Sequence, residues 1–409
     1  MKLLIVALNY APDLIGCARY TSELAEDFVA RGHAVEVVCG PPYYPSWSVA
    51  EGYSGARWRT EVLAGVAVHR TPLYVPAKPT GIPRLAHVAS FGAAAAPAAI
   101  AAARRFRPHV VLAIAPTLAA GAAALMAART CGAKTWLHLQ DFEVDAAFGL
   151  GLLKSETGRQ AALAIERRLL GSFDHVSTLS PAMVGLLHEK GVDPSRTSEL
   201  RNWVDVDASP VLATTNTALR QELGLTADAV VALYSGNMAA KQGIESLGEM
   251  AARLNADAPS IQLLFGGEGP EKSALEQATA GLAAVRLLPL QPVARLPELL
   301  GAADIHLLPQ RPEAADLVLP SKLGGMLASG RPVVAMAEDG TDLAQEVEGC
   351  GLITKPTGAA MAEAVLTLAG DHGRRQVMGR NGRLRAEQRW RKATIIDAFE
   401  DRFQATAEV

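Results

Sequence analysis

The amino-acid sequence predicts an α/β protein of two doubly wound domains, and three observations carry this prediction. With 409 residues, 49% of them hydrophobic, the chain can bury two large cores. Leu3–Leu8 is a continuous apolar run, as expected for a parallel strand covered on both faces, and a helical pattern and a second apolar run follow it. The same alternation begins again at Val230–Tyr234, which indicates a second domain of the same class.

Composition excludes some classes of function. The formal net charge of −3 argues against a nucleic-acid-binding protein, which normally carries a basic excess. The cysteines show no C-x-x-C or Cys/His spacing and are expected to be small buried residues in a reducing compartment: Cys17, Cys39, Cys131 and Cys350. The opening apolar run ends at Leu8, which is short for a signal peptide, so we expect a cytoplasmic protein.

In the first domain, helical patterns lie between apolar runs. The predicted strands are Leu3–Leu8, Ala34–Cys39, Val62–Arg70, Val110–Ala115, Lys134–Leu139 and Phe173–Ser177. The predicted helices are Tyr20–Arg31, Leu85–Ala103, Leu118–Arg129, Glu156–Leu170 and a helix from Ser180 to Lys190. This βαβ order puts the loops that follow the strands at one edge of the sheet, where open α/β sheets bind ligands.

The Ala-rich segment Leu85–Ala103 has three interpretations. It is nearly long enough to span a bilayer, but alanine is barely hydrophobic and Pro97 interrupts the run. Its flanks are basic, with Arg84, Arg104, Arg105 and Arg107. Together with the aromatic and basic segment Tyr43–Arg59, this favours a helix that lies on a membrane surface over one that is merely packed on the sheet.

Two polar residues lie at the end of the strand Lys134–Leu139. His138 and Asp141 fall where chemistry is usually done in this architecture. A lone histidine at such a place is otherwise more often a satisfied interior residue, so position alone leaves the role of His138 open.

The second domain carries candidate phosphate-binding loops. Its predicted strands are Val230–Tyr234, Ile261–Phe265, Arg286–Leu290, Asp304–Pro309 and Pro332–Met336, and its terminal helices are Ala359–Gly370 and Arg385–Phe403. Asn237 and Lys241 lie in the loop after its first strand. Gly267 and Gly269 form a G-x-G turn between a strand and a helix, which by itself is a weak sign of a nucleotide site.

The stretch Asp316–Val334 predicts a short helix. Pro320 and Ser321 suit a helix start, because proline fits the entry turn and a serine side chain caps free backbone N–H groups. Gly330 suits the residue that ends the helix.

This short helix contains residues that do not favour it. Lys322 places a positive charge in the first turn, where the helix dipole favours an acid. Gly324 and Gly325 each cost about 1 kcal/mol against alanine. The combination predicts either an anion held at the first turn or tight packing of the helix on the sheet.

These motifs resemble a known family. P-S-K-L followed by L-A-x-G-R-P-V-V, within Pro320–Val334, is similar to the donor-sugar loop of glycosyltransferase family 4, a retaining family with the GT-B fold. It is most similar to the branch of colanic-acid and O-antigen fucosyl- and fucosaminyltransferases. The resemblance implies two Rossmann-like domains facing a cleft. Residues 1–204, joined by the C-terminal helix 386–409, would be the acceptor- and membrane-facing domain, and residues 205–385 the nucleotide-sugar domain.

The resemblance also implies the site residues. Donor binding would involve Gly16, Asn237, Lys241, Gly267, Gly269, Leu290, Pro320, Ser321, Lys322 and Leu323. Catalysis would involve Asp141, His138 and Asp316. Asp316, or Glu313 as the alternative, would replace the first of two family glutamates. The sequence departs from the family pattern at the two glutamate positions, which hold Leu317 and Gly325, and at Asn237, where the family has arginine.

The implied reaction is transfer of a hexose, such as fucose or an N-acetylated amino sugar, from a GDP- or UDP-sugar to a polyprenyl-diphosphate-linked sugar in surface polysaccharide synthesis. The expected partners are this nucleotide sugar, the lipid-linked acceptor and the inner-membrane surface. We expect no nucleic acid and no cofactor. We also expect no metal, because lysines would hold the diphosphate. Two alternatives are a GT-B-fold sugar-nucleotide epimerase, which needs no acceptor, and a two-domain binding protein of periplasmic type.

Overall fold

A computed structural model describes residues 1–13, 16–79, 81–115, 117–142, 144–145, 156–209, 211 and 217–408. They form two compact units, Met1–Asn202 together with the residues from Thr394 on, and Trp203–Ala393. The boundaries implied by the family resemblance fall after residue 204 and before residue 386. Each unit is a mostly parallel sheet covered by helices, so the predicted α/β class is confirmed.

The first unit is built on a long sheet. Its strands are β1 (Lys2–Ala7), β2 (Ala34–Cys39), β3 (Arg59–Leu63), β4 (Val66–Arg70), β5 (Val110–Ala115), β6 (Lys134–Leu139), β7 (His175–Thr178) and β8 (Thr197–Glu199). Among the described residues the sheet has the order β3-β4-β2-β1-β5-β6-β7-β8, and only β3 and β4 are antiparallel. From β1 the chain adds strands first on one side of the sheet and then, from β5 on, on the other side. At this reversal the loops at the carboxyl ends of β1 and β5 diverge.

Helices of the first unit cover this sheet. They are α1 (Gly16–Ala30), α2 (Gly81–Phe106), α3 (Leu118–Arg129), α4 (Glu156–Leu170) and α5 (Pro181–Glu189), and the last helix of the chain also packs here. Helix α1 begins at Gly16, ahead of the predicted start at Tyr20. Among the described residues, the predicted donor residue Gly16 is therefore the first residue of α1.

The prediction of one strand over Val62–Arg70 is wrong. The segment is part of a β-hairpin in which β3 and β4 pair antiparallel. Ala64 and Gly65 form its two-residue turn, and both have positive φ, 49° and 82°. Such a turn matches the twist of the flanking strands, so the chain folds back where the sequence suggested a continuous run.

Helix α2 is long and apolar enough to cross a bilayer by length and composition alone, with 28% of its apolar window buried. Its buried side chains follow one stripe, which contains His87, Phe91, Ala95 and Ala99. The opposite face begins with Ile82, 81% exposed, and Leu85, 57% exposed. One face therefore packs into the first unit and the other is a mainly apolar surface.

The second unit is a smaller sheet with its own helices. Its strands are β9 (Val231–Ser235), β10 (Gln262–Gly266), β11 (Val285–Leu288), β12 (Ile305–Leu308), β13 (Val333–Met336) and β14 (Gly351–Thr354). Its helices are α6 (Ala218–Glu222), α7 (Glu245–Asp257), α8 (Lys272–Ala278), α9 (Leu296–Gly301), α10 (Lys322–Ala328), α11 (Asp342–Val347), α12 (Gly358–Gly370) and α13 (His372–Arg389). In the described part of the chain all its strands are parallel, in the order β11-β10-β9-β12-β13-β14.

The predicted terminal helix Arg385–Phe403 is interrupted. Helix α13 ends at Arg389, and α14 (Lys392–Glu408) begins after Trp390 and Arg391. Trp390 is buried, and its carbonyl oxygen accepts a hydrogen bond from Val204 N at 2.8 Å. The break therefore anchors the end of α13 within the second unit, while α14 continues into the first.

Candidate functional site

Most of the predicted donor residues lie at the carboxyl edge of the second sheet. The chain order reverses between β9 and β12, and loops diverge at such a point to leave a crevice. The loop after β9 carries Asn237 and Lys241, and the segment after β12 leads into Pro320–Leu323. The structure thus brings both groups of residues to one edge of one sheet.

Gly267 and Gly269 are required by the packing of two loops. Both have positive φ, 145° and 154°. A Cβ atom at Gly267 would overlap the Gly236 carbonyl oxygen, and one at Gly269 would overlap that of Met238. Because Met238 N also donates to Glu268 O at 2.9 Å, the loops after β9 and β10 run side by side. The G-x-G turn therefore has a packing cause, and it forms one wall of the candidate site.

Lys322 is the most unusual charged group of this edge. Its Nζ is buried, has no hydrogen-bond partner in the described structure and lies 4.1 Å from the centroid of the Tyr234 ring. Burial lowers the pKa of Lys322 to about 7. A Cβ atom at Gly236 would lie 3.5 Å from this nitrogen, so glycine leaves the space that the side chain fills. The ammonium is therefore held without the acceptor that a buried cation needs.

The predicted cap by Ser321 is wrong. Ser321 has helical angles, φ −60° and ψ −23°, and its side chain accepts no capping hydrogen bond. A serine caps from an extended conformation, so the turn that starts at Pro320 removes the necessary geometry. Helix α10 is seven residues long, and Gly330 ends it with φ 72°, as predicted.

Packing accounts for the two glycines of α10. A Cβ atom at Gly324 would lie 2.8 Å from Cε3 of Trp390, and one at Gly325 would lie 3.3 Å from Leu300 Cδ1. At Gly324 the neighbour is a rigid indole, so no larger residue fits. The alternative of tight packing thus explains the glycines, whereas the unpaired ammonium of Lys322 remains unexplained by packing.

Asp316 has a local structural partner. It has φ 55°, and its Oδ1 accepts a hydrogen bond from Asp342 N, the first residue of α11, at 2.9 Å. Burial is the main cause that raises the pKa of Asp316. Glu313, the alternative acid, is exposed in the turn Pro312–Ala314. The structure places both on the segment between β12 and α10.

The other donor-side residues differ in exposure. Asn237 is exposed, and its carbonyl oxygen accepts a hydrogen bond from the Tyr234 hydroxyl at 2.6 Å. Lys241 is half-buried, and its carbonyl oxygen accepts from Arg311 N at 3.2 Å, which joins the loops after β9 and β12. Leu290 lies just beyond β11 and is 48% exposed.

Asp205 and Asp207, two acids separated by one residue, lie outside this edge, near the start of the second unit. Asp205 Oδ1 accepts a hydrogen bond from Ala208 N at 3.0 Å. The Asp207 carboxylate pairs with Arg391, with both oxygens 2.7 Å from Nη1. Both carboxylates therefore stabilise the local structure of this segment.

In the first unit, Asp141 lies near the start of α1. The charge of Asp141 is the second cause, after burial, that raises the pKa of the neighbouring Cys17 to about 12. Asp141 is half-buried just beyond β6, and Gly16 and Cys17 begin α1. The structure thus brings Gly16 and Asp141, two predicted site residues, to the same edge of the first sheet.

His138 is an interior residue. It is 2% exposed, its Nδ1 is 2.9 Å from Ser177 Oγ, and its ring meets that of Phe399 edge to face at 5.1 Å. Burial lowers its pKa to about 3. These contacts match the alternative of a satisfied interior histidine, because both faces of β6 are covered, and a catalytic role of His138 stays a prediction.

Two hydrogen-bonded contacts bracket Asp141. On one side, Asn202 Nδ2 donates to Gln140 Oε1 at 2.8 Å. On the other, Lys190 Nζ donates to Asp145 Oδ2 at 2.6 Å and to the buried Glu166. Lys190 and Glu166 are not identifiable from the sequence, because charged residues on helical patterns are normally exposed. Nor is Tyr234, whose position in an apolar strand gives no sign beyond core packing.

Comparisons with protein families divide the chain in the same way. Residues 16–203 match the family described as Glycosyl transferase 4-like domain. Residues 229–371 match the family described as Glycosyl transferases group 1.

One relative matches most of the chain, and another matches part of it. The chain is 41% identical, over 354 residues, to the colanic acid biosynthesis glycosyl transferase WcaI of Escherichia coli (strain K12), a match that covers 85% of this chain and 86% of the relative. It is 34% identical to a D-inositol 3-phosphate glycosyltransferase of Geodermatophilus obscurus over 169 residues, 38% of this chain and 36% of the relative.

Solved structures share the fold. Sucrose-phosphate synthase from Thermosynechococcus elongatus matches with a TM-score of 0.77 at 19% identity, over 99% of this chain and 98% of that one. Anabaena HepE, solved in complex with UDP and glucose, matches with a TM-score of 0.72 at 18% identity, over 99% of this chain and 100% of that one.

Proposed function

We propose a donor and an acceptor for this chain on the premise that it belongs to glycosyltransferase family 4 and is a transferase with the GT-B fold. The enzyme transfers a hexose, such as fucose or an N-acetylated amino sugar, from a GDP- or UDP-sugar to a polyprenyl-diphosphate-linked sugar, with retention at the anomeric carbon. The name of the E. coli relative, which places that protein in colanic acid biosynthesis, supports a role in polysaccharide synthesis. We assign this role to the cytoplasmic face of the membrane.

The observation that carries this proposal is the unpaired ammonium of Lys322. A buried cation without an acceptor is costly, and a diphosphate supplies the missing anion. Lys241 belongs to the same edge of the second sheet. HepE, which was solved with UDP, has the same fold and supports a nucleotide site on it.

The chemistry requires stabilisation of a leaving group. The bond between the anomeric carbon and the diphosphate oxygen breaks, a bond from that carbon to the acceptor oxygen forms, and the hydroxyl proton of the acceptor is released. Negative charge grows on the diphosphate as its bond to the sugar breaks, and preorganised cations lower the barrier most at that stage. We assign this role to Lys322 and Lys241, with no metal ion.

For the acceptor we assign the first unit. Asp141 lies at the carboxyl edge of its sheet, close to the start of α1. The exposed face of α2 carries Ile82 and Leu85, and the Arg84 guanidinium lies 5.1 Å from the centroid of the Trp47 ring. An apolar face beside a cation fits the surface of an anionic membrane, where a polyprenyl-linked acceptor resides.

The test is a transfer assay with a panel of UDP-, GDP- and dTDP-sugars and a polyprenyl-diphosphate-linked acceptor, in excess EDTA. We expect a glycosylated lipid from one donor, with unchanged anomeric configuration. A strict need for magnesium or manganese would contradict the metal-free assignment. Isomerised nucleotide sugar formed without any acceptor would support the epimerase alternative instead.

A further inference from the structure

Tyr234, on strand β9, contacts two parts of the candidate donor site. It is the penultimate residue of β9, and its side chain is fully buried. The centroid of its ring is 4.1 Å from Lys322 Nζ, well within the range of a cation–π contact. Its hydroxyl donates to the carbonyl oxygen of Asn237 at 2.6 Å. A single side chain thus touches both the lysine of α10 and the loop after β9.

The surroundings leave the ammonium no other partner. In the described part of the chain no hydrogen-bond acceptor reaches Lys322 Nζ, and no carboxylate lies within ion-pairing distance. Tyr234 is the titratable group that faces it from the sheet, and burial raises the pKa of that hydroxyl, which therefore stays neutral. Burial is the cause that lowers the pKa of Lys322 to about 7, whereas the ring face favours the charged form.

We propose that Tyr234 is a positioning residue of the donor site. Its ring holds the Lys322 ammonium while no donor is bound, its hydroxyl fixes the loop that carries Asn237, and the diphosphate of the nucleotide sugar then becomes the partner of the ammonium. This inference rests on the proposed function, since it needs a diphosphate ligand at this edge.

A consequence is that donor binding takes up a proton. If burial lowers the pKa of Lys322 to about 7, part of these side chains are uncharged near neutral pH in the free protein, whereas a bound diphosphate requires the charged form. Affinity for a fully ionised diphosphate should therefore fall above pH 7, by up to about tenfold for each pH unit. Removal of the Tyr234 ring should lower the pKa of Lys322 further, so the loss of affinity should begin at lower pH.

The experiment measures binding of UDP and GDP by calorimetry from pH 6.5 to 8.5. Wild type should lose affinity toward pH 8.5, and Lys322→Arg should not, because a guanidinium stays charged. Tyr234→Leu should begin its loss at lower pH. Tyr234→Phe keeps the ring, so its pH profile should match wild type while affinity falls about threefold to tenfold through the freed Asn237 carbonyl.

Matched variants separate positioning from packing. Phe265 is the register partner of Tyr234 on β10 and is fully buried, so Phe265→Leu removes similar bulk without touching the ammonium. Tyr10→Phe removes a buried hydroxyl in the other unit. Neither should change the pH profile, and Tyr234→Phe keeps the core filled should Tyr234→Leu fail to fold.

The outcomes distinguish this inference from the proposed function. If wild type binds neither nucleotide, the donor site itself is misassigned and the role of Tyr234 falls with it. If wild type binds and Tyr234→Leu matches Phe265→Leu in both affinity and pH profile, the positioning role is wrong while the function stands.

Discussion

A buried ammonium without a hydrogen-bond acceptor costs free energy, and Lys322 is such a group. The glycines beside it have packing reasons, since Gly324 makes room for Trp390. The Tyr234 ring compensates the ammonium only in part. Lys322 therefore opposes folding at this position, and a residue that opposes folding where a ligand is expected points to binding.

We expect Lys322→Met to lose about 2–4 kcal/mol of transition-state stabilisation, comparable to the removal of one oxyanion donor. Methionine keeps the aliphatic length of the side chain and removes the uncompensated charge. The melting temperature of the donor-free variant should therefore equal or exceed that of wild type. Transfer kinetics and thermal melts check both parts, with the exposed Lys355→Ala as the control. Normal turnover combined with a lower melting temperature would make Lys322 a packing residue.

His138 and Asp141 show that a position at the end of a strand is not enough to identify a site residue. Both were placed correctly at the end of β6, but β6 is covered on both faces, so alternation along the strand does not tell which side chain points outward. In the structure the His138 side chain is buried in the interior, whereas Asp141 is half-buried at the carboxyl edge of the sheet. Lys322 was predicted from motif resemblance, whereas Tyr234 could be found only from tertiary contacts.

At the scale of elements, the loop after β6 depends on a buried charge cluster. Lys190, at the end of α5, bonds to Glu166 on α4 and to Asp145 beyond Asp141. Lys190 and Glu166 are both nearly inaccessible, and burial is the main cause that raises the pKa of Glu166. A carboxylate in this position needs its cation to remain charged.

Lys190→Met should therefore destabilise the protein by about 3–5 kcal/mol, because it leaves Glu166 buried without a partner. The double variant Lys190→Met/Glu166→Leu should recover most of this loss, since the buried uncompensated charge is removed and the remaining Asp145 carboxylate is partly exposed to water. Urea denaturation measures both. Equal stability of the single and double variants would show that the unpaired Glu166 carboxylate does not cause the loss.

Helix α2 offers the second test at this scale. Ile82→Ser with Leu85→Ser should reduce sedimentation with phosphatidylglycerol liposomes at low salt, because these are the large exposed apolar side chains of its outer face. Charge reversal at Arg104 should act in the same direction. Arg105 bonds to Glu36 at 2.5 Å, so reversing Arg105 would also disturb the sheet.

The control is Ile165→Ser, which changes a 64% exposed side chain on α4 of the same unit. It should leave sedimentation unchanged. Failure of wild type to sediment with anionic liposomes at low salt would contradict the membrane assignment.

Elements were predictable where their pattern is determined locally. The apolar runs of β1, β5 and β9 are covered on both faces and read plainly in sequence. The hairpin of β3 and β4 was missed because its turn depends on the positive φ of Ala64, a residue that rarely adopts it. The cap at Ser321 was wrong because the backbone there is helical.

At the scale of the molecule, the chain repeats one architecture in two units with separate sheets. Each sheet has a reversal of strand order, between β1 and β5 and between β9 and β12, and many of the predicted site residues lie at the carboxyl edge beside these points. Topology thus explains why residues distant in sequence, such as Lys241 and Lys322, come to one edge. The alternation of strands and helices in the sequence predicts that these residues lie at one edge, without knowledge of any tertiary contact.

Both units also bury histidines, which makes the stability of the whole protein sensitive to acid. Burial is the main cause that lowers the pKa of His138, His175 and His306 to about 3. Below the unfolded value of 6.5 the unfolded chain binds protons at these side chains and the native protein does not. The free energy of unfolding should therefore fall as pH falls from about 6.5 toward 3, by about 1.4 kcal/mol per pH unit for each histidine.

Urea denaturation at pH 7, 6 and 5 measures this slope. His306→Asn removes one titrating group while leaving a polar side chain beside Ser329, whose Oγ is 2.9 Å from His306 Nε2. Its slope should be smaller than that of wild type by the share of one histidine, whereas the exposed His372→Asn should leave the slope unchanged. A wild-type slope in His306→Asn would mean that the buried histidines do not control acid stability and that carboxylates do.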